Sequence, residues 1–102
     1  MADVSERLRR RIARDFAPGA AEEVVRALSE LPYDALGGQD GERVLTAIVL
    51  SSQGELPRFE AALALLRLDW RDVLVAGGLA NGDWPVRLEI ALEDDGRAGR
   101  RA

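Results

Sequence analysis

The sequence predicts an all-α fold, a compact orthogonal or irregular bundle of five to six helices with a central apolar helical hairpin. Through most of the chain, apolar residues recur at the three- and four-residue intervals of an amphipathic helix. Glycine and proline pairs separate segments of helical length. A chain of 102 residues with 47% hydrophobic residues can build one core without disulfides. We therefore predict a single helical domain over residues 1–95 and a frayed tail over 96–102.

The first segment has the pattern of an amphipathic helix that packs one side on the core. Asp3 is a candidate cap for its start, and Pro18-Gly19 is predicted to end it. The predicted core stripe recurs every four residues: Val4, Leu8, Ile12 and Phe16.

The second helix is predicted from about Ala20 to Leu31, where Pro32 stops it. Glu22 and Glu23 are expected in its first turn, where the helix dipole favours negative charge. Its apolar stripe consists of Val24, Val25, Leu28 and Leu31.

The third segment, Glu42 to Ser52, is open to two interpretations. Its many β-branched residues suit a buried strand. Helix is favoured because Asp40 can cap its start, Gly54 fits just beyond its end, and no neighbouring run offers a partner strand.

The fourth helix, about Leu56 to Leu68, is rich in alanine and leucine, and Pro57 suits its opening turn. The third and fourth helices are both apolar nearly all round. Such helices are central in a fold or contact another chain, so we expect these two to form the central hairpin.

The last part of the chain repeats a short pattern. Asp69-Trp70 and Asp83-Trp84 each look like an N-cap followed by a tryptophan that anchors a helix start on the core. Residues 84–92 also alternate apolar and other side chains, which is typical of a strand. Helix is favoured there because a lone strand would have no ladder partner unless it paired across a dimer axis.

The composition removes much catalytic chemistry. The chain has no lysine, histidine or cysteine, and arginine supplies all 14 positive side chains. An imidazole base, a thiolate nucleophile and a Schiff-base lysine are therefore excluded. We expect no enzymatic activity, no cofactor and no metal.

The charge and hydropathy patterns predict a cytoplasmic protein. The net charge of −4 does not favour general attraction to nucleic acid or an anionic membrane. No apolar run reaches the roughly 18 residues of a membrane span, and the first residues lack a secretory apolar stretch.

Arginines on the polar side of the first helix are the main candidate site. Arg7, Arg10, Arg11 and Arg14 fall at helical spacing, and we call them the arginine stripe. Guanidinium groups bind phosphate and carboxylate in bidentate fashion. A solvated face or a contact with an acidic partner is favoured over nucleic acid, because no aromatic side chain interleaves the stripe to stack bases.

The remaining polar motifs have simpler structural explanations. Ser51-Ser52 lack a base and are expected to bond the last carbonyls of their helix. The glycine-rich run 77–82 lacks the ending of a phosphate loop and suits a turn between helices. Helix capping explains the first two of three acidic groups: Glu22/Glu23, Asp69/Asp72 and Glu93/Asp94/Asp95.

The stretch from Glu42 to Trp84 resembles a family of short bacterial helical proteins that has no assigned activity. The residues that carry this resemblance are the Ser-Ser-Gln-Gly-Glu turn, the leucine-rich helix and the following Asp-Trp-Arg-Asp-Val-Leu-Val-Ala-Gly-Gly. The resemblance implies an all-α fold and no particular substrate.

The leading functional hypothesis is a non-enzymatic protein–protein interaction module whose partner is another protein or a second copy of the chain, in a homodimer. It rests on more apolar helix surface than a small domain can easily bury. The alternative is a nucleic-acid-binding protein that uses the arginine stripe. A third hypothesis, an enzyme using carboxylates, Tyr33 or arginines, would require a deep pocket where two carboxylates converge.

Overall fold

The fold is all-α, as predicted. A computed structural model describes residues 2–93, and within them it contains six α-helices and no strand. The predicted tail, 96–102, lies outside the described residues. The helices are α1 (Glu6–Asp15), α2 (Pro18–Ser29), α3 (Gly41–Ser52), α4 (Leu56–Leu68), α5 (Trp70–Ala76) and α6 (Trp84–Ala91), with a 3₁₀ turn at Tyr33–Leu36.

Helix α3 lies at the centre of the bundle. Every residue from Val44 to Val49 is 0% exposed, and α3 contacts α1, α4, α5, α6 and the 3₁₀ turn. The Asp40 carboxylate caps α3 by accepting a hydrogen bond from the backbone N–H of Arg43 at 3.1 Å. The β-branched residues that suited a strand are accommodated because α3 is surrounded, so side chains pointing in every direction are buried.

Helix α4 has the predicted bounds and packs against α3 as the second arm of the predicted hairpin. The two arms differ in burial, since the buried residues of α4 are only Phe59, Ala62 and Leu66. Leu68 is 83% exposed. Part of the apolar surface of α4 is therefore exposed to solvent.

The four residues of the predicted core stripe, Val4, Leu8, Ile12 and Phe16, are all buried, but only Leu8 and Ile12 lie within α1. The cap prediction was wrong. Ser5 caps α1, its Oγ accepting from the N–H of Leu8 at 3.3 Å. The helix starts later than Asp3 would allow because the extended residues before it bury Ala2 and Val4.

Pro18-Gly19 also differs from its predicted role. Instead of ending α1, which stops at Asp15, the pair opens α2 with Pro18 in the first helical position. A proline is well placed there because the N–H it lacks would have no partner inside the helix. Glu22 and Glu23 consequently lie in the second turn of α2 and not in the first, as predicted.

Both tryptophans begin helices, as predicted. Trp70 is the first residue of α5, and the Asp69 carboxylate before it accepts from the N–H of Arg71 at 3.0 Å. Trp84 is the first residue of α6, so the helical interpretation of residues 84–91 is confirmed over the strand. Asp83 stands at the cap position, although its side chain makes no cap bond.

Directly after the end of α5, the backbone at Gly77 packs very closely against the backbone of α3. A Cβ atom on Gly77 would lie 2.5 Å from both Cα and the carbonyl oxygen of Ala47. Only glycine permits this approach of the two backbones. Among the helices of residues 2–93, none has the length and apolar character needed to cross a membrane.

Candidate functional site

The structure divides the arginine stripe into two pairs. Arg7 and Arg11 are half-buried and face the neighbouring helices, whereas Arg10 and Arg14 are exposed. The division follows from helical geometry, because residues four apart share one face. The two pairs therefore have different roles.

Arg7 joins three helices. Its Nη2 and Nε bind the two carboxylate oxygens of Glu42 on α3 at 2.6 and 2.8 Å, and its Nη1 binds Glu89 on α6 at 2.7 Å. The Ser5 hydroxyl donates to Glu42 at 2.6 Å. Hydrogen bonds from Arg7 are the main cause that lowers the pKa of Glu42, and the same bonds raise the pKa of Arg7. Both groups are thus held in their charged forms.

Arg11 fastens the end of α6. Its Nη1 donates to the carbonyl oxygen of Ala91 at 2.8 Å, and its Nε binds Asp15 at 2.9 Å. A cation is favourable at a helix C-terminus, where backbone carbonyls lack partners within the helix. Arg7 and Arg11 therefore form a polar clamp that holds α6 against α1.

The two exposed arginines of the stripe also have acidic neighbours. Arg10 lies 3.7 Å from Glu6, and Arg14 lies 3.8 Å from Asp15. The Arg10 pair is exposed on both sides and contributes little to stability. Because Arg7 and Arg11 are occupied within the fold, the stripe offers fewer cations to a nucleic-acid backbone than the sequence suggested.

A third arginine, Arg43, holds the start of α6, and sequence reasoning did not single it out. Its guanidinium carbon lies 4.6 Å from the centre of the Trp84 ring, and its Nε donates to the Leu79 carbonyl at 3.0 Å. The partners are about 40 residues apart, so no local pattern in the sequence connects them.

Ser51-Ser52 and the glycine-rich run have the structural roles predicted for them. The hydroxyls of Ser51 and Ser52 donate to the Ile48 carbonyl at 3.0 and 2.6 Å. The glycine-rich run 77–82 connects α5 to α6. Within residues 2–93, acidic side chains form no group of three or more that could hold a metal ion.

One hollow is lined by two carboxylates, and the enzyme hypothesis requires a pocket that contains such a pair. It has a volume of about 550 Å³ at the junction of α4 and α5, and Asp34 and Asp69 are among its lining residues. The Arg71 guanidinium binds Asp69 at 3.0 and 3.1 Å and is the main cause that lowers its pKa. Asp69 is therefore a stable anion at neutral pH, which does not suit a general acid.

Among the residues whose burial the structure describes, the largest apolar groups left in solvent lie in the second half of the chain. Four of these large hydrophobic residues are more than half exposed: Leu68 (83%), Val75 (68%), Val86 (62%) and Ile90 (61%). Their positions fall between the end of α4 and the end of α6. The earlier helices bury their large apolar side chains more completely.

Helix α6 carries two of these residues on one outward face. Val86 and Ile90 are four residues apart, as are the buried Leu88 and Leu92 on the opposite side. The strand-like alternation in the sequence is therefore two helical stripes, one facing the core and one facing solvent. We call Val86 and Ile90 the apolar face of α6.

An apolar hollow adjoins this face. It has a volume of about 230 Å³. It lies between the end of α3, the turn after α5, and α6, and its apolar lining residues are Leu50, Gly77, Gly78, Leu79, Ile90 and Ala91. A side chain from a partner could enter it beside Ile90.

Comparison with known proteins gives no functional assignment. The chain matches no protein-family model, no curated protein and no solved structure. The geometry of the site is therefore the basis for the function proposed below.

Proposed function

We propose that this protein is a non-enzymatic protein–protein interaction module that self-associates through the apolar face of α6. The observation that carries the proposal is the outward placement of Val86 and Ile90, at 62% and 61% exposure, beside an apolar hollow. Contiguous apolar surface on a small domain is typical of a binding site.

The attachment of α6 supports this role. Arg7 and Arg11 hold its inner side, and Arg43 stacks on its first residue. The outward side chains are consequently presented on a fixed element and not on a loop. A fixed element reduces the entropy lost when a partner binds.

A second copy is the partner to which we commit. Symmetric dimers are the commonest soluble assemblies, and they need only one self-complementary patch. In this case the exposed valine and isoleucine of one copy would enter the hollow of the other. The polar residues beside the face, Arg87 and Asp83, already form an ion pair at 2.8 Å and need no partner charge.

Light scattering across a range of concentrations tests the proposal. The mass should rise from that of one 11.1 kDa chain toward that of two chains as concentration increases. The double substitution Val86→Ser plus Ile90→Ser should keep the protein at the mass of one chain.

The matched control is Leu68→Ser, which removes a more exposed apolar side chain at the end of α4. It should leave association unchanged. A parent protein that stays at one chain at every concentration would contradict the proposal, and so would equal loss of association in the control.

A further inference from the structure

A second surface lies on the opposite flank of α1 from the clamp that holds α6. It is a hollow of about 290 Å³ between α1 and α2, which we call the α1–α2 groove. Helix α1 contributes Arg9 and Ala13, and helix α2 contributes Ala21, Glu22, Val25 and Arg26. This groove shares no residue with the apolar face of α6 and is independent of the proposed self-association.

The floor of the groove is apolar and open. Ala21 is buried and Val25 half-buried, while Ala13 across from them is too small to fill the space. The hollow is thus a consequence of two alanines facing each other where larger side chains would close the helix pair. An aliphatic group of moderate size fits such a floor.

Two arginines supply the positive charge at this groove, which Glu22 also lines. The Arg9 Nε donates to the Val4 carbonyl at 3.2 Å, a bond that leaves its two terminal nitrogens for other acceptors. Within residues 2–93, neither Arg9 nor Arg26 has an acidic side chain within ion-pair distance. Two like charges on one hollow repel each other, and a bound anion relieves that repulsion.

Helix packing brings the two arginines to one end. The Ala2 N–H donates to the Leu31 carbonyl at 2.6 Å, so the start of α1 lies near the end of α2 and the two helices run in opposite directions. In that arrangement position 9 of α1 is nearer to position 26 of α2, and position 13 is nearer to position 22. Glu22 therefore lies one turn farther along the groove than Arg26. Its negative charge disfavours a dianion such as phosphate but leaves room for a single carboxylate between the arginines.

We propose that the α1–α2 groove binds an acidic, apolar segment of a partner protein. An Asp or Glu carboxylate of that segment binds between Arg9 and Arg26, and a neighbouring aliphatic side chain packs on Ala13, Ala21 and Val25. Charge complementarity identifies the occupant. The two arginines favour an anion, and the apolar floor favours an aliphatic group attached to it. The negative charge of Glu22 favours a ligand that carries a single negative charge.

A titration of isotope-labelled protein by NMR tests this assignment. The probe is a capped pentapeptide, Ala-Leu-Glu-Leu-Ala, compared with the same peptide carrying Gln in place of Glu. The acidic peptide should shift the resonances of Ala13, Ala21 and Val25, and the Gln peptide should not. Equal shifts with both peptides, or none with either, would overturn the proposal.

Substitutions locate the binding site. Arg26→Gln and Arg9→Gln should each weaken binding of the acidic peptide by about tenfold or more, because each removes a charge-assisted hydrogen bond. Arg67→Gln is the matched control, since Arg67 is exposed and lies outside the groove. A loss of affinity in this control equal to that of Arg26→Gln would mean that only net charge matters.

Two further measurements separate this proposal from the others. A short DNA duplex that binds at the groove when the acidic peptide does not would replace the carboxylate assignment with a nucleic-acid one. The Val86→Ser plus Ile90→Ser protein should bind the peptide as tightly as the parent. Loss of peptide binding in that variant would contradict the independence of the two surfaces.

Discussion

At the scale of single residues, Glu42 links the N-terminal part of the chain to the core. It accepts hydrogen bonds from Arg7 and from Ser5 while lying at the start of the central helix. The bidentate geometry makes this pair stronger than an ordinary surface ion pair. Both partners are partly buried, so the pair is also less screened by salt.

The Glu42→Gln substitution should lower the free energy of unfolding by about 1–2 kcal/mol at pH 7. The pKa of Glu42 is lowered in the folded state, chiefly by Arg7. Its stabilisation is therefore present above the unfolded-state pKa of about 4.3 and is lost as the pH falls through the lowered value. The difference in the free energy of unfolding between Glu42→Gln and the parent should therefore become smaller as the pH falls below the unfolded-state pKa.

Urea denaturation at a series of pH values measures this difference. Glu60→Gln is a suitable control, because Glu60 is exposed on α4. A difference that stays constant from neutral pH into strong acid would show that the Glu42 carboxylate is not its source.

Thr46 provides a second prediction at this scale. Its side chain is 0% exposed, and its Oγ1 has no hydrogen-bond partner within residues 2–93. A buried hydroxyl without a partner is costly, so Thr46→Val should raise the free energy of unfolding by about 1 kcal/mol. Thr46→Ser keeps the hydroxyl, loses a methyl group and should destabilise instead. Chemical denaturation compares the three proteins, and a valine variant less stable than the parent would refute the prediction.

At the scale of the elements, the junction of α3 and α5 depends on one missing side chain. Gly77→Ala should destabilise the protein by about 1–3 kcal/mol, because the new methyl group would overlap the Ala47 backbone and move α5. Gly82→Ala is the control, since a Cβ there meets nothing within 4 Å. Thermal unfolding should separate the two variants, and equal melting temperatures would count against the close contact.

The sequence predicts the bounds of a helix best where those bounds depend only on residues within the helix and next to it. The bounds of α4 were predicted correctly because its helix formers, Pro57 and the following Asp69 all act locally. The start of α1 is not predicted correctly because Ser5 and Asp3 are both good caps, and the segment before Ser5 is extended, with the Ala2 N–H bonded to the Leu31 carbonyl at 2.6 Å. Such a choice depends on packing that sequence periodicity does not record.

The candidate site was predictable only in part, because its determining contacts are distant in the chain. Arg7 was singled out as a partner contact, but its partners Glu42 and Glu89 are 35 and 82 residues away. In the sequence, the alternation around Val86 is typical of a strand. Its meaning as two stripes of a helix required knowing that Leu88 and Leu92 face the core.

At the scale of the whole molecule, α3 should make unfolding cooperative. It contacts four of the other helices within residues 2–93, and α2 is connected through α1 and α4. Ile48→Ala removes a fully buried side chain from α3 and should cost about 2–5 kcal/mol. The lost stability should affect all helices together, because four of them pack on α3 and α2 packs on two of those four.

Two probes measured in one denaturation experiment test this cooperativity. Far-ultraviolet circular dichroism follows all helices, whereas tryptophan fluorescence follows Trp70 and Trp84 at the starts of α5 and α6. The transitions should coincide in the parent and shift by the same amount in Ile48→Ala. Separate transitions would mean that α5 and α6 unfold without the rest.

The exposure of four large apolar side chains also affects which positions of the sequence can change during evolution. These residues are Leu68, Val75, Val86 and Ile90. Selection on these four sites is largely uncoupled from selection on foldability, since substitution there removes few interior contacts. Homologous proteins could therefore acquire different binding partners by substitution at these four positions. The buried residues Val44–Val49 would meanwhile be conserved by the requirement to fold.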